Sequence, residues 1–264
     1  MSIPEEGNAP GSRTGSGEGE PVSAGDPLAP TAALLERLAA RCEAEGFDLF
    51  ASTTLGSYER RVPATHRLGL GWPDDRALVL IGNTRAAWPR FLEALDRNNE
   101  TGDDLRGHPH PFDTWTMQRL TVALAPASGH RLELRFAFAG PPRHFAALHL
   151  AEATGLAHRG PAGLGVHPTL GPWFGLRAAL ALDLPWREAA AAPDLCSPCA
   201  APCKTALEAA VAASRGGGHP VRDHWRPWLA VRDACPVGRE HRYTDAQIRW
   251  HYAHDRSVLA PAAR

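Results

Sequence analysis

Four cysteines stand late in the chain, as Cys196-Ser-Pro-Cys199-Ala-Ala-Pro-Cys203 and, further on, Cys235-Pro236. Three thiols so close in sequence can wrap one inorganic centre, because a turn brings their sulfurs together. A fourth ligand must come from elsewhere, and Cys235 is the candidate. Soft thiolates suit iron–sulfur clusters or zinc rather than magnesium or calcium. The pattern leaves three readings open: a cluster on Cys196, Cys199, Cys203 and Cys235, a structural zinc on the same set, or free thiols in a proline-rich loop. Cys42 falls on the apolar side of the first predicted helix and reads as core.

The second unusual stretch is Leu164-Gly-Val-His167-Pro168-Thr-Leu-Gly171-Pro-Trp173-Phe174-Gly-Leu-Arg177. Gly163, Gly165 and Gly171 let backbone lie close to a flat or bulky ligand. Pro168 and Pro172 stiffen the loop, and Trp173 and Phe174 supply apolar faces. That combination suits a large planar macrocycle with amide side arms, and equally a tight loop leading into a buried strand. His167 has the chemistry of a metal ligand, but ahead of a proline it reads first as a hydrogen-bonded structural residue. Arg177 sits among apolar neighbours on a predicted strand, so its charge needs a carboxylate or an anionic ligand group.

The elements that must position these residues follow from pattern. Residues 1–30 are rich in Gly, Ser, Glu and Pro without an apolar period, and predict a disordered tail. Thr31 caps a helix carrying Leu34, Leu35 and Leu38 that ends near Gly46. Ala77–Ile81 reads as a buried strand, and Trp88, Phe91, Leu92 and Leu95 as one face of a helix. Residues 131–138 alternate, with Leu132, Leu134, Phe136 and Phe138 inward and Arg131, Glu133 and Arg135 outward. Pro141 and Pro142 open a helix running to about Gly155. Residues 173–182 predict a strand, and 203–213 and 243–255 helices. Strands and helices mix without a βαβ rhythm, so the fold class is α+β, with a core over 31–190 and a cysteine-containing segment with C-terminal helices over 191–264.

Composition excludes several classes. The formal net charge of −1 gives no field to draw the surface to nucleic acid or an anionic membrane. The longest apolar runs are too short to span a bilayer. No charged-then-apolar leader pattern opens the chain, so a cytoplasmic protein without a disulfide framework is expected.

His167-Pro-x-x-Gly-x-Trp-Phe-x-x-Arg177 resembles a segment of the CblC-type (MMACHC-like) cobalamin-processing reductases. His224-Trp225-Arg226-x-Trp228, Arg232-Asp233-Ala234 and Tyr243 resemble further motifs of that family. The likeness covers roughly residues 31–258. A second likeness is to the cobalamin-dependent epoxyqueuosine reductases. Gly171-Pro-Trp173-Phe174, Asp183-Leu184-Pro185 and then the cysteines stand in that family's order. Pro111-Phe-Asp113-Thr114-Trp115-Thr116 is similar to another of its stretches. The cysteine spacing matches the last three of the ferredoxin string C-x₂-C-x₂-C-x₃-C-P, with Lys204 in place of the proline. Both resemblances imply a nitroreductase-like α+β fold holding cobalamin with its nucleotide tail base-off. The first implies that Arg177, Arg232 and Arg256 match arginines that bind glutathione. Departures accompany them. The first family has no cysteine cluster, and it has histidine and tyrosines where Glu152, His158 and Arg159 stand here. The second has two full cysteine strings and a C-terminal tRNA-binding extension.

The expectation is therefore a cobalamin-binding reductase. Gly165, His167, Pro168, Gly171, Trp173, Phe174, Arg177, Arg232 and Arg256 face the cofactor, and a 4Fe–4S cluster on the four cysteines reduces the cobalt. Asp113 is the candidate proton donor, with a capping role as its alternative. A thiol or other small molecule is the expected substrate, and a ferredoxin or flavodoxin the electron donor, with no nucleic-acid partner. A carrier with a structural cluster, or a reductase holding FMN or FAD in the same cleft, are the rival readings.

Overall fold

The computed structural model describes residues 26–101, 105–216 and 221–260. In chain order the elements are α1 (Ala29–Ala44), β1 (Leu49–Thr54), α2 (Leu55–Glu59), β2 (Arg76–Asn83), α3 (Ala87–Thr101), α4 (Pro111–Ala123) and β3 (Leu132–Phe136). Then come α5 (Ala147–Ala153), β4 (His158–Arg159), β5 (Gly165–Val166), β6 (Gly175–Pro185), α6 (Pro202–Ala213), α7 (Trp225–Asp233) and α8 (Asp245–Ala253). The expected tail lies outside the described residues as far as residue 25, and residues 29 and 30 already belong to α1.

A four-stranded antiparallel sheet in the order β1-β2-β6-β3 is the centre, which is an α+β arrangement. Its two middle strands read as unbroken apolar runs because both faces are covered. Ala77, Val79 and Ile81 of β2, with Ala178, Leu180 and Leu182 of β6, pack into one core with Leu38, Phe91 and Trp115. Leu78, Leu80, Ala179 and Ala181 pack into the other, with Tyr58 and Leu150. A third, smaller cluster of Trp173, Leu229, Tyr243 and Ile248 ties β6 to α7 and α8.

Three expectations change. Thr31 is buried inside α1 rather than capping it, and Pro30 occupies the first turn, where a missing N–H costs nothing. Pro141 and Pro142 lie in a turn, and the helix begins only at Ala147. In β3 the alternation is blurred because the strand is an edge. Leu132 and Phe138 are exposed, whereas Arg135 is tucked in, donating to the Leu68 carbonyl at 2.7 Å and to Glu133. No helix among the described residues is long and apolar enough to cross a membrane.

Candidate functional site

After β6 the chain crosses β1. The Trp186 indole donates to Ser52 Oγ at 3.0 Å and the Ala189 N–H to Thr53 Oγ1 at 3.4 Å. This path delivers Cys196 to the β4–β5 hairpin. Asp194 Oδ1 fixes the turn there, accepting the N–H of Cys196 at 2.9 Å and of Ser197 at 3.0 Å, and His158 Nε2 lies 3.2 Å from the same oxygen. The Cys199 N–H donates to the Cys196 carbonyl at 3.1 Å, which closes the turn. Ala201, in the left-handed region, then starts α6 with Cys203 in its first turn.

Cys235 arrives separately, just past α7. Its segment is held by a backbone-to-backbone contact that only glycines permit. A Cβ on Gly171 would lie 1.9 Å from the Val237 carbonyl oxygen, and one on Gly238 2.1 Å from the Leu170 carbonyl carbon. The result is one small cavity of about 30 Å³ lined by Cys196, Cys199, Cys203 and Cys235 within an apolar sleeve of Leu164, Val166, Pro172, Pro202 and Pro236.

Burial pushes the Cys196 thiol up, and the neighbouring Cys235, Asp194, Cys203 and Cys199 push it further. Burial likewise raises Cys235, the Val237 N–H opposes this, and Cys203 and Cys199 add to it. A bound cation would reverse both shifts, since coordinated thiols are deprotonated. A second amide, of Ala201, donates to Cys199 Sγ at 3.4 Å. Among the described residues, the metal-binding side chains whose ligand atoms all lie within 4.8 Å of one another are His158, Asp194 and Cys196. The four cysteines line one cavity without forming such a group.

A larger cleft of about 340 Å³ lies against this cavity, and Ala162 and Leu164 line both. Phe174, Gly175, Arg177, Trp228, Arg232, Tyr243, His251 and Tyr252 line the rest. Neither arginine forms a salt bridge with a described carboxylate. Arg177 donates from Nε to Asn83 Oδ1 at 2.5 Å and lies 4.6 Å over the Phe112 ring. Arg232 lies within 5.9–6.0 Å of the Trp173, Tyr243 and Tyr252 rings. Burial lowers the pKa of Arg177, with Tyr243 and Asp113 opposing and Arg232 reinforcing that shift. Guanidiniums suit anionic groups, and the carboxylate whose charge reaches Arg177 is Asp113, in the adjoining space.

A third space, of about 140 Å³, holds Asp113 with His110, Phe112, Trp250 and His254, and shares Arg177 and His251 with the cleft. Burial raises the Asp113 carboxyl above its usual range, against the pull of Arg177 and His110.

The sequence-derived residues separate on this map. Phe174, Arg177 and Arg232 reach the cleft, and Asp113 the adjoining chamber. Trp173 is buried in the third core, 5.6 Å from Tyr243, and lines none of these spaces. His167 is structural, its Nδ1 accepting from Thr169 at 3.1 Å and Leu170 at 3.2 Å. Pro168 is exposed beside it. Gly165 is buried, and a Cβ there would sit tightly against Phe174 at 3.1 Å and Leu148 at 3.2 Å. Arg256 lies away from the cleft and donates to the carbonyls of Arg106, His108 and Pro109. Trp228 and Tyr252 line the cleft, Trp250 the adjoining chamber and His251 both, and none of the four was among the sequence-derived site residues. The signal available was spacing: Trp228 and Arg232 are four apart on α7, on one helix face.

No protein-family model matches the chain, and no curated protein matches it. Its fold is that of a solved B12-trafficking protein. That structure is CblC of C. elegans, a homologue of human MMACHC, at 18% identity and a TM-score of 0.62, covering 87% of this chain and 95% of that one. Epoxyqueuosine reductases are more distant neighbours. A selenomethionine-labelled one has 12% identity and a TM-score of 0.49, over 83% of this chain and 68% of its own. One from Bacillus subtilis has 14% identity and a TM-score of 0.41, over 69% and 54%. Both families named from the sequence thus stand among the structural neighbours.

Proposed function

We propose that this chain is a nitroreductase-like corrinoid reductase. It binds cobalamin at the cleft and holds a 4Fe–4S cluster on Cys196, Cys199, Cys203 and Cys235. One observation carries the reading: the four-cysteine cavity and the cleft share the wall made by Ala162 and Leu164. The donor set fits a cluster, with four thiols in an apolar sleeve and amide donors on two sulfurs. The cleft fits the edge of a large amphipathic ligand, with aromatic walls and two guanidiniums that form no salt bridge with a described carboxylate. When bound, the two groups supply single-electron transfer and a reducible cobalt.

The protein's own residues do the rest. Leu164 and its neighbours exclude water between the two spaces. Arg177 and Arg232 bind carboxylates, of a thiol such as glutathione or of another small substrate. Asp113 holds a proton in the adjoining chamber. The trafficking role of CblC favours one alternative, a carrier whose cluster is structural.

Anaerobic purification with iron, sulfide and zinc analysis, followed by titration with hydroxocobalamin, tests the reading. Iron and sulfide near four per chain, a bound corrinoid, and loss of its oxidised absorption when the cluster is reduced support the reductase. Binding without reduction supports the carrier. Zinc in place of iron, or no corrinoid binding, refutes the corresponding half.

A further inference from the structure

The cleft and the Asp113 chamber meet at two side chains, Arg177 and His251. A molecule reaching from one space to the other must pass both. His251 Nε2 is enclosed there and has no hydrogen-bond partner among the described residues. Buried polar atoms are nearly always paired, so a nitrogen of this kind marks the place of a missing partner.

Three aromatic side chains pack around the ring. Trp88 lies 6.1 Å away, Phe112 5.6 Å and Tyr243 5.8 Å, centroid to centroid. Burial holds the imidazole pKa well below its usual value, and Arg177, Arg232 and His254 hold it lower still. The ring is therefore neutral. It offers one hydrogen bond without charge, beside two guanidiniums that take the anionic groups.

We propose that His251 is a recognition residue whose Nε2 hydrogen-bonds an uncharged polar group, of carboxamide type, on the molecule held at this junction. The inference deepens the corrinoid reading and rests on it, since carboxamides are the side arms such a macrocycle presents. A neutral imidazole nitrogen serves an amide as donor or acceptor according to its tautomer. An ammonium group would meet two positive neighbours instead.

The test is titration of hydroxocobalamin into wild type, His251→Phe and His251→Gln, read by absorbance and calorimetry, with thermal midpoints for each. Phenylalanine keeps the ring in its aromatic seat and deletes the nitrogen. Its dissociation constant is expected to rise about tenfold, the effect of one lost buried hydrogen bond, and glutamine to recover most of the loss. Cobyrinic acid, with carboxylates in place of the amide arms, is expected to lose little from the same change. A second measurement is independent of variant folding. The ¹⁵N signal of the wild-type ring nitrogen, assigned by its loss in His251→Gln, shifts when hydroxocobalamin is added. Tight wild-type binding with an indifferent His251→Phe, equal losses for both corrinoids, or an unmoved ¹⁵N signal overturns this inference alone. No corrinoid binding by wild type overturns the function reading with it.

Discussion

Gly163 and Gly171 share a loop and a left-handed backbone, with φ of +72° and +56°, but only one of them touches anything. A Cβ at Gly163 meets nothing within 4 Å. Gly163→Ala should therefore cost only the left-handed penalty of about 1–2 kcal/mol. At Gly171 the same methyl lies 1.9 Å from the Val237 oxygen, and the two segments must part by about 1.5 Å to reach the 3.4 Å of ordinary contact. Forcing backbone apart in a packed site adds about 1–3 kcal/mol, and in a chain of this size each kcal/mol is worth about 2–4 °C of melting temperature. Cys235 is two residues from Val237, so the displacement also pulls one thiol from its three partners. Thermal unfolding of the metal-free variants measures the first effect, and iron and sulfide per chain after anaerobic loading the second. Gly171→Ala should melt below Gly163→Ala and retain less iron. If it binds as much iron as Gly163→Ala and melts with it, the backbone contact does not position Cys235.

Three other outcomes follow from buried groups. Asp113 has a folded pKa raised above its unfolded value, so it binds a proton more tightly when folded, and its penalty grows as pH rises through that window. Asp113→Asn should accordingly raise the melting temperature more at pH 7 than at pH 4, and an equal gain at both pH values counts against the shift. Burial pushes the Cys42 thiol up to about 12. It should resist iodoacetamide in the native metal-free protein while the partly exposed Cys199 and Cys203 react, which peptide mapping reads directly. Gln247 is fully buried with neither amide atom partnered among the described residues. Gln247→Met should stabilise the metal-free protein by about 1–3 kcal/mol, measured by urea unfolding, whereas destabilisation would mean that the amide has a bound partner.

Much of the frame was legible because it obeys local rules. The run Ala77–Ile81 reads as a buried strand, and both of its faces are covered. Trp88, Phe91 and Leu95 share the inner face of α3. The Cys196–Cys203 turn followed from spacing alone. What escaped depends on contacts distant in sequence. Nothing near Trp173 says that Tyr243 and Arg232 will bury it, whereas Trp228 reaches the cleft. Arg256 matched a motif by position, yet the loop at 106–109 takes its guanidinium. Helix α4 was missed altogether, because its apolar and polar residues are not segregated to opposite sides. The lowered pKa of His251 comes first from burial and then from Arg177 and Arg232, which belong to other elements.

Arg232 and Cys235 are joined by a single turn at the end of α7, with the Cys235 N–H donating to the Arg232 carbonyl at 3.1 Å. Arg232 lines the larger cleft and Cys235 the four-cysteine cavity. Any tug on the sulfur is thus felt at the guanidinium across one peptide hydrogen bond. Oxidation or substitution at Cys235 is therefore expected to disturb Arg232 and the cleft as well as the four-cysteine cavity.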